Sequence, residues 1–259
     1  MITETITKNN ILTTNTSHPV IDIIGLHKSF GKNDILKGVD INVEKGENLV
    51  VLGKSGSGKS VAIKCLVGLV KADAGEIKVF GTDIINLSEK ELNKIRLKIG
   101  FLFQNAALYD SMTVRENLEF PLKRHSKNIT QKEIDESIKE ILESVGLAEA
   151  IDKMPSELSG GMRKRIGLAR TLILKPDIIL YDEPTTGLDT ITSREISELI
   201  LMMQKKYKTT SIIITHDMAC AKLTGDRIVI LKEGKIDAEG TYESLEKSDD
   251  EWVKSFFIL

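Results

Sequence analysis

Residues 53–60 read Gly53-Lys54-Ser55-Gly56-Ser57-Gly58-Lys59-Ser60 and fit the phosphate-binding pattern GxxxxGK(S/T). The apolar run 48–52 before this loop predicts a buried strand, and residues 60–69 after it predict a helix. A strand, a glycine-rich turn and a helix N-terminus form an anion site, because free backbone N–H groups and the positive end of the helix dipole converge there. The stretch therefore predicts an α/β fold that binds a nucleotide.

The residue types in this loop have separate predicted tasks. Lys59 is expected to reach the β- and γ-phosphates, and the Ser60 hydroxyl is expected to bind Mg²⁺. Glycines let the backbone approach the phosphates, because no Cβ stands in the way. The other residues predicted to bind the nucleotide are Gly53, Ser55, Gly56, Ser57 and Gly58.

Composition limits the classes of function. The chain has 259 residues, of which 41% are hydrophobic and 29% charged, as in ordinary globular proteins. Its formal net charge of −2 gives no basic field, so a nucleic-acid partner is not expected. Apolar runs such as 212–214 are too short to span a bilayer. Cys65 and Cys220 match no metal spacing and are interpreted as packed cytosolic thiols.

The two ends of the chain differ from the rest. Residues 1–19 are rich in Thr and Asn, lack a signal-peptide apolar segment and are predicted to be a disordered tail. Residues 246–259 are predicted to be a C-terminal extension, whose apolar patch around Trp252 packs either on the core or on a partner. Residues 20–245 are predicted to form one nucleotide-binding domain.

The middle of that domain is predicted to be helical. Short apolar or alternating runs make the first part, 21–103, rich in predicted strands. Thr130 and Glu133 then form a capping box that predicts a helix ending at Gly146, and a further helix is predicted over 159–174. The helical insertion, about residues 106–165, therefore interrupts an α/β core.

The α/β pattern resumes after the insertion. Strands are predicted at 178–181 and 211–215, and a hairpin is predicted around Gly234. Thr192 and Glu195 form a second capping box, which predicts that a helix begins there.

Two acids follow the predicted strand 178–181. Ligands of open α/β sheets bind outside the carboxyl ends of the strands, where Asp182 and Glu183 lie. Asp182 is expected to support Mg²⁺ through water, and Glu183 to act as the general base that polarises the attacking water. A strand that merely ends in solvated acids is the alternative, and the phosphate loop argues against it.

Two further polar residues end predicted strands in the same way. His216 follows strand 211–215 and is expected to contact the γ-phosphate, the alternative being a structural histidine. Gln104 follows the predicted strand 99–103 and is expected to bind Mg²⁺ and respond to nucleotide. Taken alone, Gln104 would be an ordinary polar loop residue.

A second glycine-containing motif is Leu158-Ser159-Gly160-Gly161-Met162, which precedes the predicted helix 159–174. Paired glycines destabilise a helix by about 1 kcal/mol each relative to alanine, so close approach to a phosphate is the better explanation. One protomer cannot easily direct two such helix N-termini at one nucleotide. We therefore predict a dimer in which Ser159, Gly160 and Gly161 cap the nucleotide held by the other protomer.

Two more residues have two open interpretations each. Asp189 is predicted to be either a helix cap or a contact across the dimer that helps to bind the nucleotide. Phe30 is predicted either to stack on adenine or to pack in the core.

The order of these motifs resembles the ATP-binding-cassette (ABC) ATPases over about residues 20–245. The resemblance implies a P-loop NTPase with a RecA-like core, an antiparallel β subdomain and an inserted helical subdomain. It also implies ATP and Mg²⁺ as cofactors, ATP hydrolysis coupled to transport, and two copies closing head to tail around two ATP molecules. Phe30 replaces the usual Tyr, and Thr186-Gly187-Leu188-Asp189 replaces the frequent Ser-Ala-Leu-Asp. Neither change removes a catalytic group, so active hydrolysis is expected.

A finer resemblance comes from the signature and the segment after Gln104. Met162-Arg163-Lys164 stands where many importers have glutamine-rich sequences, and 102–109 is followed by Met112-Thr113-Val114 and Asn117. These features are similar to the ATPases of MCE-associated, Mla-type phospholipid transporters. The basic cluster 163–165 has a simpler interpretation as a solvated helix face.

This resemblance implies the partners and the location. They are a second copy of the chain, an integral-membrane permease and an MCE-domain lipid-binding protein, at the cytoplasmic face of the inner membrane. Residues 105–121 follow Gln104 directly and are the expected permease surface. The alternatives are an ABC ATPase for another solute or lipoprotein, and a non-transport regulator such as a cell-division-type cassette.

Overall fold

The structure is a computed structural model that describes residues 19–126 and 128–257. The predicted disordered tail, apart from Pro19, lies outside the described residues. The strands are β1 Ile21–Phe30, β2 Asn33–Val43, β3 Asn48–Leu52, β4 Ala74–Val79, β5 Thr82–Asp83, β6 Ile99–Leu102, β7 Ile178–Asp182, β8 Thr210–Ile214, β9 Arg227–Lys232 and β10 Lys235–Gly240. The α-helices are α1 Lys59–Leu66, α2 Glu89–Arg96, α3 Val114–His125, α4 Gln131–Ser144, α5 Gly160–Leu172, α6 Thr190–Tyr207, α7 Met218–Thr224, α8 Tyr242–Glu246 and α9 Glu251–Lys254.

A six-stranded sheet positions the site. Its order is β10-β9-β3-β8-β7-β6, and every neighbouring pair except β9 and β10 is parallel. Strands β3 and β8 are buried throughout, which explains the apolar runs 49–52 and 212–214. Because the strands are parallel, the segments that follow β3, β6, β7 and β8 leave the same edge of the sheet.

A second, antiparallel sheet has the order β2-β1-β4-β5. Its apolar side chains form one core cluster with α1 and with side chains from one face of the six-stranded sheet. Both cysteines are buried and free, as the packed-thiol interpretation predicts, and burial raises the pKa of Cys65 and of Cys220 to about 11.

Helices α3 and α4 and the first part of α5 lie within the predicted helical insertion of about residues 106–165. Four apolar residues of α4 are buried, namely Ile134, Ile138, Ile141 and Leu142, and they lie on one face because their spacing follows the helical repeat. Asn117 is fully buried on α3. Its side chain accepts from Tyr109 N at 2.8 Å and donates to the carbonyls of Tyr109, Met112 and Thr113. The amide therefore ties the segment between β6 and α3 to α3.

The predicted start of α6 is wrong. The helix begins at Thr190 rather than at the Thr192–Glu195 capping box, because Asp189 caps it. The Asp189 carboxylate accepts from Ile191 N and Thr192 N, both at 3.0 Å. The Thr192 hydroxyl donates to the same carboxylate at 2.6 Å and is no longer available as a cap. Aspartate satisfies the free N–H groups and also favours the helix dipole.

The insertion offers a test of core packing. Ile138→Ala is expected to lower the free energy of unfolding by about 2–5 kcal/mol, because Ile138 is 0% exposed and the truncation leaves a cavity. Met202→Ala on α6 is the control, since Met202 is 51% exposed. Urea unfolding of both variants checks the prediction. An equal loss in the two variants would mean that burial does not decide stability here.

Within residues 19–126 and 128–257, no helix has the length and apolar character needed to cross a membrane.

Candidate active site

A cleft of about 550 Å³ lies at the edge of the sheet where β3, β6, β7 and β8 end. It is lined by Ile35, Ser55, Gly56, Ser57, Gly58, Lys59, Ser60, Val61, Gln104, Glu183, Thr186 and His216. The structure therefore brings together most of the predicted phosphate loop with three residues predicted from other strand ends. Those three come from positions up to 112 residues apart, between Gln104 and His216.

Two glycines of the phosphate loop are required by packing as well as by the expected approach of phosphate. A Cβ on Gly53 would lie 2.5 Å from the carbonyl oxygen of Leu231, and one on Gly58 would lie 2.7 Å from Leu36 Cδ2. Gly58 also adopts φ 109° as the N-cap of α1, in the region that favours glycine. The loop therefore packs closely against β2 and β9, with no space for a Cβ at either glycine.

Lys59 is buried, with 8% of its surface exposed. Its ammonium donates to the carbonyls of Gly53 at 2.7 Å and Lys54 at 3.1 Å. Burial lowers the pKa of Lys59, and the charges of Glu183 and Asp182 oppose that shift. A cation at the base of the loop is thereby directed toward the space that phosphates would occupy.

The predicted Mg²⁺ residues offer a suitable set of oxygen donors. The Ser60 hydroxyl donates to Asp182 Oδ1 at 3.0 Å, and Gln104 lines the same cleft. A hydroxyl, an amide oxygen and a carboxylate are the hard ligands that Mg²⁺ prefers, together with water and phosphate oxygens. The residues present therefore fit a magnesium ion shared with a nucleotide.

Glu183 has an unusual backbone and two side-chain partners. Its φ is 53°, in the left-handed region that non-glycine residues seldom adopt. The Thr186 hydroxyl donates to Glu183 Oε2 at 3.1 Å, and His216 Nδ1 lies 2.8 Å from the same oxygen. The carboxylate is 15% exposed, whereas the His216 side chain is 65% exposed. Neighbouring elements therefore orient the predicted base at the cleft.

Sequence reasoning missed two polar residues at this site. Thr186 contacts the Glu183 carboxylate, and its position three residues later in a turn is a signal that could have identified it. Lys164 is 6% exposed and donates to the carbonyls of Gln104 and Glu183. For Lys164 the solvated-face interpretation of the basic cluster is wrong, because α5 packs that side chain against the core.

The signature residues lie elsewhere. Ser159 is the N-cap of α5, where its hydroxyl accepts from Met162 N at 3.2 Å, and it is exposed. Neither Ser159 nor the two glycines after it line the cleft. A Cβ on Gly161 would lie 2.6 Å from Thr192 Cγ2, so packing against α6 provides a second reason for that glycine.

The two residues with open interpretations have clear positions. Phe30 is 49% exposed at the end of β1, so the core-packing alternative is wrong, and Lys28 Nζ lies 5.2 Å from its ring centroid. Asp189 is a helix cap, and hydrogen bonds from Thr192 lower the pKa of its carboxyl. Neither residue lines the cleft. Stacking of Phe30 on adenine and a dimer contact at Asp189 stay predictions.

Comparisons with known proteins identify the family. A family described as ABC transporter matches residues 36–186. The ribonucleotide transport ATP-binding protein mkl of Mycobacterium leprae, named as probable, is 43% identical over 236 residues, which cover 91% of this chain and 68% of that protein. Protein TRIGALACTOSYLDIACYLGLYCEROL 3 of Arabidopsis thaliana, described as chloroplastic, is 39% identical, covering 93% and 74% of the two chains.

A solved structure agrees with the fold. The ATP-binding cassette MJ0796, in a dimeric post-hydrolysis state with ADP and Pi, aligns with a TM-score of 0.78 and 33% identity. The alignment covers 86% of this chain and 98% of that one. The fold prediction of a P-loop α/β core with antiparallel β and helical parts is confirmed, as are ATP and Mg²⁺ as cofactors. This chain belongs to the ABC transporter family and is an ATP-hydrolysing cassette of that family.

Proposed function

We propose that this chain energises phospholipid trafficking across a bacterial envelope, as a head-to-tail dimer at the cytoplasmic face of the inner membrane. The observation that carries the dimer is the position of the signature. The phosphate loop, Gln104, Glu183 and His216 line one cleft, whereas Ser159, the N-cap of α5, does not line it. A second copy would complete each site by placing the signature against the γ-phosphate.

In the proposed mechanism the chain's residues position ATP and water. Lys59 and the loop amides hold the phosphates, Ser60 and Gln104 would hold Mg²⁺, and Asp182 would support it through water. When bound, Mg²⁺ would neutralise charge on the phosphate oxygens. Glu183 accepts the proton of the attacking water, which adds to the γ-phosphorus as the bond to the β-phosphate oxygen breaks.

His216 and the signature complete that arrangement. His216 contacts the γ-phosphate from the same protomer, and the partner's Ser159 contacts it across the interface. ATP therefore stabilises the closed dimer, and hydrolysis releases it, so the nucleotide biases a two-state element.

The surface proposed for the permease is the segment 105–121. Tyr109 and Phe120 are 41% and 37% exposed, and their rings meet edge to face at 5.3 Å. The guanidinium of Arg170, on the signature helix, lies 4.6 Å from the Tyr109 ring centroid. A membrane partner bound to this exposed aromatic pair would therefore be connected directly to α5, whose N-terminus is proposed to contact the ATP held by the other protomer.

Two observations support a phospholipid cargo. The Met162-Arg163-Lys164 signature and the sequence after Gln104 are similar to Mla-type cassettes, and one relative is named for a glycolipid. Another relative is named for ribonucleotide transport, which favours an ABC transporter for a different solute as the second candidate.

Affinity purification of the chain from gently solubilised native membranes, followed by mass spectrometry of proteins and lipids, tests the proposal. We expect a multi-span permease, an MCE-domain protein and enriched phospholipid. A different permease without lipid would favour the second candidate. Recovery of division proteins with no transporter would contradict transport altogether.

A matched pair of variants tests the docking surface in the same experiment. Phe120→Glu places a charge on the aromatic pair and is expected to reduce permease recovery at least about tenfold, because burying an unpaired charge is unfavourable. Met202→Glu, at an exposed position of α6, is expected to retain the permease. Equal recovery with both variants would remove segment 105–121 from the proposed interface.

A further inference from the structure

Lys164 lies buried beside the cleft but has no role in the mechanism proposed above. It lies on α5, five residues after Ser159, and it is 6% exposed. Its ammonium donates to the carbonyl of Gln104 at 2.6 Å and to the carbonyl of Glu183 at 3.1 Å. One charged group therefore joins the signature helix to the segments that follow β6 and β7.

The burial of this ammonium needs a reason. Taking a charge out of water is unfavourable unless hydrogen bonds compensate, and an apolar residue would fill the same space without that penalty. Within residues 19–126 and 128–257, no carboxylate lies within ion-pair distance of Lys164. Burial lowers the pKa of Lys164 to about 8, and the negative charges of Glu183 and Asp182 oppose that shift. The two backbone carbonyls that accept from the ammonium offset part of the cost of burying it.

The two carbonyls belong to residues whose orientation matters. Gln104 and Glu183 both line the cleft, and Glu183 has the left-handed φ of 53°. Such a conformation persists only where the surroundings hold it. A charge-assisted hydrogen bond to the Glu183 carbonyl stabilises that backbone conformation. The backbone conformation in turn sets the orientation of the Glu183 carboxylate.

We propose that Lys164 is a positioning residue for ATP hydrolysis. Its ammonium holds the backbones of Gln104 and Glu183 in one arrangement and couples that arrangement to the signature helix. This inference rests on the assignment of Glu183 as the base, but not on the cargo or the permease. Its test measures ATP hydrolysis by the full chain. The result can therefore be interpreted even if the phospholipid proposal fails.

The experiment compares Lys164→Met, which keeps the stem but removes the ammonium, with Lys164→Gln, which restores an N–H donor. Lys164→Met is expected to lower kcat about 10- to 100-fold, with KM and ATP affinity changed less than about threefold. Lys164→Gln is expected to recover part of kcat. Lys205→Met, at an exposed position of α6, is the control and should match the parent chain.

A double variant tests whether Lys164 acts through Glu183. In the Glu183→Gln background, Lys164→Met is expected to lower the residual rate less than about threefold, because the carboxylate it positions is already absent. An unchanged kcat for Lys164→Met would overturn the proposal. The proposal would also be overturned if kcat, ATP affinity and thermal stability all fell together and Lys164→Gln recovered none of them. That pattern indicates a structural role alone.

Discussion

Replacing Glu183 with glutamine is expected to lower ATP turnover about 10²- to 10⁴-fold while ATP binding is retained. Glutamine keeps the shape of the side chain and can still accept from the Thr186 hydroxyl, but its amide cannot accept a proton from water. The contact with His216 depends on one carboxylate oxygen, so the amide also weakens that pair.

Phosphate release and binding of a fluorescent ATP analogue measure the two halves of this prediction. Glu198→Gln on α6 removes an exposed carboxylate that pairs with Arg194, and it should leave both measurements unchanged. Because the variant binds ATP without hydrolysing it, we also expect ATP to hold Glu183→Gln as a dimer in size-exclusion chromatography. Hydrolysis within about threefold of the parent chain would remove Glu183 from the role of base.

Replacing Lys59 with methionine is expected to weaken ATP binding about 10- to 100-fold and to lower kcat about 10²- to 10³-fold. Methionine keeps an apolar stem in this buried position but has no charge for the phosphates. It also leaves the Gly53 carbonyl without its 2.7 Å donor, so the loop loses a contact that shapes it.

Isothermal titration with ATP and steady-state kinetics check this second prediction. Lys45→Met, in the exposed turn between β2 and β3, is the control for loss of one positive charge. ATP affinity equal to that of the parent chain would mean that the loop amides alone bind the phosphates. Thermal unfolding of Lys59→Met separates loss of binding from loss of the loop's structure.

The local sequence was sufficient for the phosphate loop, for helix α4 and for the strand ends that line the cleft. The phosphate loop carries its own signal, because a buried strand, spaced glycines and a helix start are adjacent in the chain. The acids after β7, and Gln104 and His216 after β6 and β8, were predictable because parallel strands direct their carboxyl ends to one edge. The α4 helix was predictable from its capping box and its apolar spacing.

Features that depend on contacts between distant segments could not be predicted in this way. Asp189 and Thr192 both have cap chemistry, and only the turn after Glu183 decides that aspartate begins α6. Thr186 and His216 contact the same carboxylate oxygen of Glu183, although they are 30 positions apart in the sequence.

The sequence by itself determined the class of fold and the residue types that line the cleft, and it predicted a second protomer, since these depend on motifs read along the chain. Tertiary structure alone decided that Phe30 is exposed, that neighbouring strands leave no space for a Cβ at Gly53 and Gly58, and that Lys164 is buried. The physical reason for Lys164 is that a lysine in a basic run is solvated unless its helix packs it against carbonyl acceptors. Those acceptors, at Gln104 and Glu183, come from two other segments of the chain.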